Sequence, residues 1–497
     1  MAVTYLPFST MNDEELSKCL EKYDIGLTID EARQVVKMLG RDPSITEAII
    51  FGIQGSEHAS YKSTRRHLKT LPTTGPNVIL GPCEDSGIVK LCDLPDGDAY
   101  GIIVSHESHN SPSQVVPYEG AATGVGGIIR DIICMGGKAI ATLDPLRFGA
   151  IDNHKSRIIA EGCVEGIAGY GNPIGVPNLG GDAVFDKSFE KTCLVNVVAF
   201  GLLKESHLIH SYAPKEAGEK NYDMIIIGKG TDNSGFGGST FSSKVVDETK
   251  QETNKAAVQE PNPFLERHIM ASSYDLFKIL QESGNIDKVG FKDMGAGGIL
   301  CATVELISEQ GFGASVDLGK IHTAIEDMNP EIIACSETQE RFAWVCHPDL
   351  TQMILDHYNK KWELPSIAAH AGASHVGHVT TNGIYTLTHK GDTVCEAKAQ
   401  DITKGLSYNR PFKDPQKKFE EPQIDASKID IEAEFKKLLQ SENIASRQPI
   451  YEQYDSTVQG NTIIEAGEAD AGVIAPLQDE EVFATMKNIG IAITADG

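Results

Sequence analysis

The sequence predicts an α/β protein made of two-layer units behind a helical lead-in. Short β-branched runs bounded by Gly, Pro and Asp alternate with amphipathic helical stretches. A strand pattern from early in the chain returns near its end. Apolar residues make up 40% of the 497 positions, enough for real cores, and at ~100–200 residues per domain the length fits roughly three domains.

Residues 1–65 read as the helical segment. Thr28-Ile29-Asp30-Glu31 is a capping box, since the Thr28 hydroxyl can accept a helix N–H while Glu31 reaches back. Ala32, Val35, Val36 and Leu39 then form a helical stripe that Gly40 stops, and a second helix spans about Ile45 to Ile53. Residues 66–204 form the first unit, with strands at Val78–Leu80, Ile88–Val89, Ala99–Val104 and Val195–Leu203. Its helix, Ala121 to Met135, buries Ile128, Ile129, Ile132 and Ile133, which turns Arg130 and Asp131 elsewhere. Residues 205–400 form the second unit, with an apolar strand Met224–Ile227, a Gly/Ser-rich loop Gly228–Ser243, a helix Phe264–Gln281 and a buried strand Phe342–Val345. Residues 401–449 turn Lys-, Glu-, Asp- and Pro-rich, a linker with one helix carrying Ile431, Phe435, Leu438 and Leu439. From 450 to 497 the strand pattern resumes. Asp470-Ala471-Gly472-Val473 echoes Asp85-Ser86-Gly87-Ile88, and Gly490 to Gly497 echoes Gly101 to Ser108, an apolar strand ending in a carboxylate. The second copy breaks off at its functional strand end, so a longer protein or one piece of a split one is expected.

Charge narrows the function classes. Forty-four Lys and Arg stand against seventy Asp and Glu, a net charge of −26, which leaves no basic footprint for nucleic acid or a membrane surface. An anionic substrate must then be caught by local Arg, helix N-termini or cations. No apolar run approaches the ~20 residues of a membrane span, and no signal peptide is read at the N-terminus. None of the ten cysteines forms a CxxC pair, which favours reduced, mostly buried thiols and a cytoplasmic location.

Chemistry concentrates in four stretches. Ser105-His106-Glu107-Ser108-His109-Asn110-Ser111 follows a buried strand, where open α/β sheets place ligands, although a solvated turn reads the same way. Tyr118 to Asp131 runs through Gly120, Gly124, Gly126 and Gly127 into Arg130-Asp131. Small residues at a helix start suit phosphate and Arg130 offers a planar fork, while tight helix packing is the bland alternative. Lys292 to Gly298 repeats a carboxylate before glycines, and Glu107, Asp131 and Asp293 together would suit Mg²⁺ unless each merely caps a helix or turns a loop. Ser336-Glu337-Thr338-Gln339-Glu340-Arg341 is a polar knot that alone reads as a loop. His58 and Tyr61 stand three apart, on one face if helical. No Gly-x-Ser-x-Gly elbow occurs, nor a glycine-flanked Cys like an amidotransferase nucleophile.

With His109-Asn110, Pro117 to Asp131, Lys292 to Gly298 and Ser336 to Arg341 in hand, the chain resembles phosphoribosylformylglycinamidine synthase of the small-subunit type. The likeness runs in order through Tyr451-Glu452-Gln453-Tyr454-Asp455 to the end and covers about two thirds of what the family usually has. It implies tandem aminoimidazole-ribonucleotide-synthetase-like units, each an N-terminal barrel-forming domain and a C-terminal α/β sandwich domain. It implies ATP-dependent amidation of formylglycinamide ribonucleotide through an iminophosphate, with ammonia from a separate glutaminase subunit and a small bridging subunit in the complex. Carried over by position, His58 is an active-site histidine and His109 the general base. Tyr61 and Ser105 fall at ATP contacts. Glu107, Asp131 and Asp293 fall at Mg²⁺ ligands. Ser108, His109, Asn110, Ser111, Arg130, Gln259, Glu337, Thr338 and Gln339 fall at substrate contacts, Arg130 on the ribose phosphate. Four positions depart from the family pattern. Ser105 stands where Lys is common, Ser111 where His is usual, Ala59 where Cys is common, and the 231–235 loop lacks an Arg often found there. Two alternatives are a related synthetase such as aminoimidazole ribonucleotide synthetase, and a non-catalytic nucleotide-binding assembly subunit.

Overall fold

A computed structural model describes residues 3–243, 251–416 and 419–495. The lead-in holds the helices Asp13–Lys22, Ile29–Leu39 and Ile45–Gln54, each opened by a capping box (Asn12 with Glu15, Thr28 with Glu31, and Ser44 with Glu47), and then a single helical turn, Glu57–Ser60. Gly40 closes the second at φ +67°, a backbone that glycine adopts without strain. Of the expected stripe, Ala32 and Val35 are fully buried while Val36 and Leu39 pack at its margin.

The first sheet has β1 (Val78–Leu80), β2 (Gly87–Asp93), β3 (Ala99–Ser108), β4 (Lys138–Phe148), β5 (Asn178–Phe185) and β6 (Leu194–Lys204), in the order β1-β2-β3-β6-β4-β5. Strand β3 runs four residues past the expected Val104. Ser105, His106, Glu107 and Ser108 pair with Ala199, Val198, Val197 and Asn196 of β6, so most of the polar run is ladder rather than turn. A short helix, Asn110–Val115, follows, and the helix expected over Ala121–Met135 starts at Pro117, because proline is favoured at a first helical position, and ends at Cys134.

The second sheet is mixed, ordered β13-β12-β9-β11-β7-β10-β8, from β7 (Asp223–Gly228), β8 (Val289–Asp293), β9 (Gly313–Asp317), β10 (Arg341–Cys346), β11 (Gly372–Thr380), β12 (Ile384–His389) and β13 (Asp392–Lys398). Strand β7 is buried on both faces. Ile225 and Ile227 join the core shared with the Pro117–Cys134, His154–Ile174 and Pro263–Glu282 helices, and Met224 and Ile226 join the core beneath the lead-in helices. Phe291 stacks between Phe342 and Trp344 in the first of these cores, with ring centroids 4.8 and 3.9 Å away. The linker helix forms at Ile431–Leu439, but Ile431, Phe435, Leu438 and Leu439 are all exposed.

The repeat read from sequence is also a repeat of register. Strands β14 (Thr462–Ile464), β15 (Gly472–Ile474) and β16 (Ile491–Ile493) form a meander. Gly472 pairs with Ile493 as Gly87 pairs with Val104, and Thr462 pairs with Ile474 as Val78 pairs with Val89. The last two residues of the repeat, Asp496 and Gly497, lie outside the described residues. Ile474, Leu477 and Ile493 bury themselves with Leu143, Leu179 and Leu202 of the first sheet. A Cβ on Gly472 would lie 2.5 Å from the Leu179 carbonyl oxygen, so the approach requires glycine.

Beside this contact Asp144 is 4% exposed, and burial pushes its carboxyl up to about 7, against a hydrogen bond donated by Asn178 Nδ2 at 3.3 Å. The folded protein thus holds a proton that the unfolded chain releases near pH 4. That contribution is full below pH 4 and is lost as the pH rises to 7. Asp144→Asn removes the slope. We expect the variant to gain up to about 4 kcal/mol over the parent at pH 8 and little at pH 4, read from denaturant titrations at both pH values.

Candidate active site

A cavity of about 330 Å³ opens where the end of β3, the Pro117–Cys134 helix, the end of β8 and the Ser336–Arg341 segment meet. His58, Tyr61, Glu107, His109, Arg130, Asp131, Gln259, Asp293, Glu337 and Gln339 all line it. Ten of the fifteen residues singled out from sequence thus come together from stretches up to 281 positions apart (339 − 58).

The other five do not reach its wall. Ser105 lies beside it, its hydroxyl donating to Asp131 Oδ2 at 3.1 Å, and it lines an adjoining cavity of about 1160 Å³ with Tyr61 and Asp85. Asn110 Oδ1 accepts from the Val195 N–H at 2.8 Å, which spends that side chain on the fold. Thr338 donates to Asp232 Oδ1 at 2.9 Å and accepts from the Asp232 N–H at 3.1 Å. Ser108 is exposed and Ser111 half-buried. Of the Ser108–Ser111 segment, only His109 faces the cavity.

Asp293 stands close enough to Glu107 and Asp131 to raise both, and Asp85 does the same to Asp293. Burial is the larger cause at each. It lifts Glu107 to about 7, Asp293 to about 6 and Asp131 well above the carboxylate range. Among the described residues no three His, Cys, Asp or Glu converge tightly enough to form a ready metal cage. The donors are nonetheless all oxygens, and their raised pKa values mark carboxylates short of a counter-cation, which suits a hard divalent ion that keeps waters and phosphate ligands.

His109 is the opposite case. Burial pushes its pKa down to about 4, so the imidazole is neutral at pH 7. Its Nδ1 meets the Gly120 carbonyl oxygen and lies 3.2 Å from Thr123 Oγ1. A carbonyl only accepts, so Nδ1 carries the proton and Nε2 is left as the acceptor.

Glu337 is fully engaged. Oε1 accepts from the Ser239 N–H at 2.8 Å, the Ser239 hydroxyl at 2.5 Å and the Gly297 N–H at 3.0 Å, and Oε2 accepts from Gln259 Nε2 at 2.8 Å. One carboxylate therefore pins both glycine-rich turns to the wall. Arg341, fully buried, holds the same segment by donating to the Thr338 and Ser336 carbonyls at 2.8 and 2.6 Å.

Sequence reasoning missed several lining groups. Lys292 Nζ pairs with Asp85 and lies 3.1 Å from Glu305 Oε2, and all three line the cavity. Lys292 directly precedes Asp293, and Asp85 opens the repeated motif, so both were in view without a role. The acids Glu266 and Glu340 behind Arg130 gave no signal, as single charges in a helix and a polar loop.

Residues 83–203 match the AIR synthase related protein N-terminal domain, 223–390 the corresponding C-terminal domain, and 16–62 the formylglycinamide ribonucleotide amidotransferase linker domain. The chain is 44% identical over 488 residues to the phosphoribosylformylglycinamidine synthase subunit PurL of Methanothrix thermoacetophila, covering 97% of this chain and 62% of that one. With the PurL subunit of Pyrococcus furiosus it shares 37% identity, over 94% of this chain and 61% of the relative. It thus spans about three fifths of the length of these relatives. Among solved structures, Thermotoga maritima PurL complexed with FGAR superposes with a TM-score of 0.70 at 29% identity, over 90% of this chain and 66% of that one. The same protein complexed with ATP gives 0.63 at 28%, over 91% and 67%.

Proposed function

The chain belongs to the PurL family of phosphoribosylformylglycinamidine synthases, and from that premise we propose that it carries the ATP-dependent amidation site for formylglycinamide ribonucleotide in purine biosynthesis. The observation that bears this reading is the pairing, in one cavity, of a buried Arg130 whose Nε and Nη1 have no partner with a neutral His109 and an acid cluster. The guanidinium edge that Nε shares with Nη2 matches two phosphate oxygens of a ribonucleotide. Phosphorylation of the glycinamide carbonyl oxygen by ATP releases the amide N–H proton, which His109 Nε2 is placed to take. Ammonia then adds to the same carbon, and the former glycinamide oxygen departs with phosphate. Glu107, Asp131 and Asp293 are the residues that would hold Mg²⁺, which offsets phosphate charge when bound. The glycine turns that Glu337 pins supply backbone N–H groups to the cavity wall.

The remaining assignments belong to the same proposal. Tyr61 and Ser105 border the nucleotide through the adjoining cavity. Ammonia comes from a glutaminase subunit, with a small bridging subunit completing the complex, as the Thermotoga maritima PurLQS assembly supports. The setting is the cytoplasm; among the described residues no helix is long and apolar enough to cross a membrane.

The test is phosphate release by the full-length protein with formylglycinamide ribonucleotide, ATP and an ammonium salt. Release with ammonium and none with glutamine alone is expected. Release driven instead by formylglycinamidine ribonucleotide would reassign the chain to the aminoimidazole ribonucleotide synthetase reaction, and nucleotide binding without release under any condition would make it an assembly subunit. A second expectation concerns the cation. Protons and Mg²⁺ compete for carboxyls with pKa values of about 6 and 7, so Mg²⁺ should raise the thermal midpoint more at pH 8 than at pH 6. Chelator-treated protein whose melting is indifferent to Mg²⁺ at pH 8 would remove these three residues as ligands.

A further inference from the structure

Arg130 and Glu266 are both wholly buried, on the Pro117–Cys134 and Pro263–Glu282 helices. Glu266 Oε2 lies 3.8 Å from Arg130 Nη1, near enough for attraction but beyond hydrogen-bond reach. Neither Glu266 oxygen has a partner, and neither have Arg130 Nε and Nη1, whereas Nη2 donates to Gln339 Oε1. Buried polar atoms are seldom left so, and these four need an explanation. The neighbouring acid is already committed. Glu340 Oε1 accepts from the Tyr170 hydroxyl at 2.9 Å and from the Asn262 N–H at 3.0 Å. Backbone geometry clears the space, since a Cβ on Gly126 would lie 2.6 Å from the Tyr170 hydroxyl oxygen and 3.1 Å from Arg130 Nη1.

Resting on the reading that Arg130 grips the ribonucleotide phosphate, we infer that Glu266 is a positioning residue that holds the guanidinium from behind by charge alone. Because it draws Nη1 from behind, the edge that Nε shares with Nη2 is left to the phosphate while its direction is set. Gln339 fixes one nitrogen and Glu266 draws the other, so the fork is oriented at two points before substrate arrives.

The test is calorimetric titration of the full-length protein with formylglycinamide ribonucleotide, alongside steady-state kinetics. Glu266→Gln keeps the shape and removes the charge. Its dissociation constant and KM for the ribonucleotide should rise by about tenfold or more, with the KM for ATP and the saturated kcat changed by less than about threefold. Glu266→Asp keeps the charge one methylene further away and should fall between Glu266→Gln and the parent. In an Arg130→Ala background Glu266→Gln should add nothing, as expected of two residues acting as one unit. Parental ribonucleotide affinity in Glu266→Gln overturns the inference. If that variant does not fold, parental affinity in Glu266→Asp overturns it equally. The two levels separate cleanly. An Arg130→Ala variant with unchanged ribonucleotide affinity ends the reading of Arg130, whereas a large Arg130→Ala loss beside a silent Glu266→Gln ends only the role of Glu266.

Discussion

Replacing His109 by alanine should lower ammonium-dependent turnover by about 10²–10⁴-fold while leaving the KM for either substrate within a few-fold. The size follows from removing a positioned proton acceptor. The near-constant KM follows because Arg130, Gln259 and the glycine turns remain. Stopped-time phosphate assays at saturating substrates measure it, and near-parental turnover would leave His109 as no more than a packing group. The pH profile adds a check. His109 gains its proton only near pH 4, far below the ordinary imidazole range, so loss of rate between pH 7 and 6 belongs to Glu107 and Asp293. His109→Ala should therefore leave the shape of that limb unchanged. Stability responds with the opposite sign to that of Asp144. The unfolded chain takes up the imidazole proton first, so the parent loses stability as the pH falls from 6.5 towards 4, by up to about 3 kcal/mol, and the variant is spared this.

Arg130→Ala should raise the ribonucleotide KM by about 10²-fold or more and move the KM for ATP far less. Two charge-assisted hydrogen bonds at about 1.5–3 kcal/mol each would be lost, and every 1.4 kcal/mol is tenfold. Equal losses for the two substrates would move the phosphate site elsewhere in the cavity. The variant should nonetheless fold. Removing one member of a buried ion pair ordinarily costs about 3–5 kcal/mol because a lone charge is left behind. Here burial pushes the Glu266 carboxyl up against the pull of Arg130, so once Arg130 is removed it takes up a proton at pH 7 and the cost falls short of that range.

The features that were legible in the sequence are those decided locally. The capping box at Thr28 needs only four consecutive residues, and the apolar runs of β6, β7 and β10 are strands whatever lies beside them. The polar tail of β3 was not legible, because its ladder depends on β6, which lies about ninety positions later. Ser336–Arg341 has the composition of a surface loop yet is buried throughout, since its partners, Ser239, Gln259 and Thr231, come from a distant turn. Glu266 stayed hidden for a similar reason. An acid beside Leu265 on an amphipathic helix reads as solvent-facing until the neighbouring helix brings an arginine against it.

The seat of the terminal meander carries a lesson for anyone trimming this polypeptide. Leu143, Leu179 and Leu202 are sheltered by Ile474, Leu477 and Ile493, so a version stopping before residue 462 bares a greasy plateau on an otherwise strongly anionic particle. Such a fragment would keep every wall of the 330 Å³ chamber and still be prone to clump, its solubility failing long before its chemistry did.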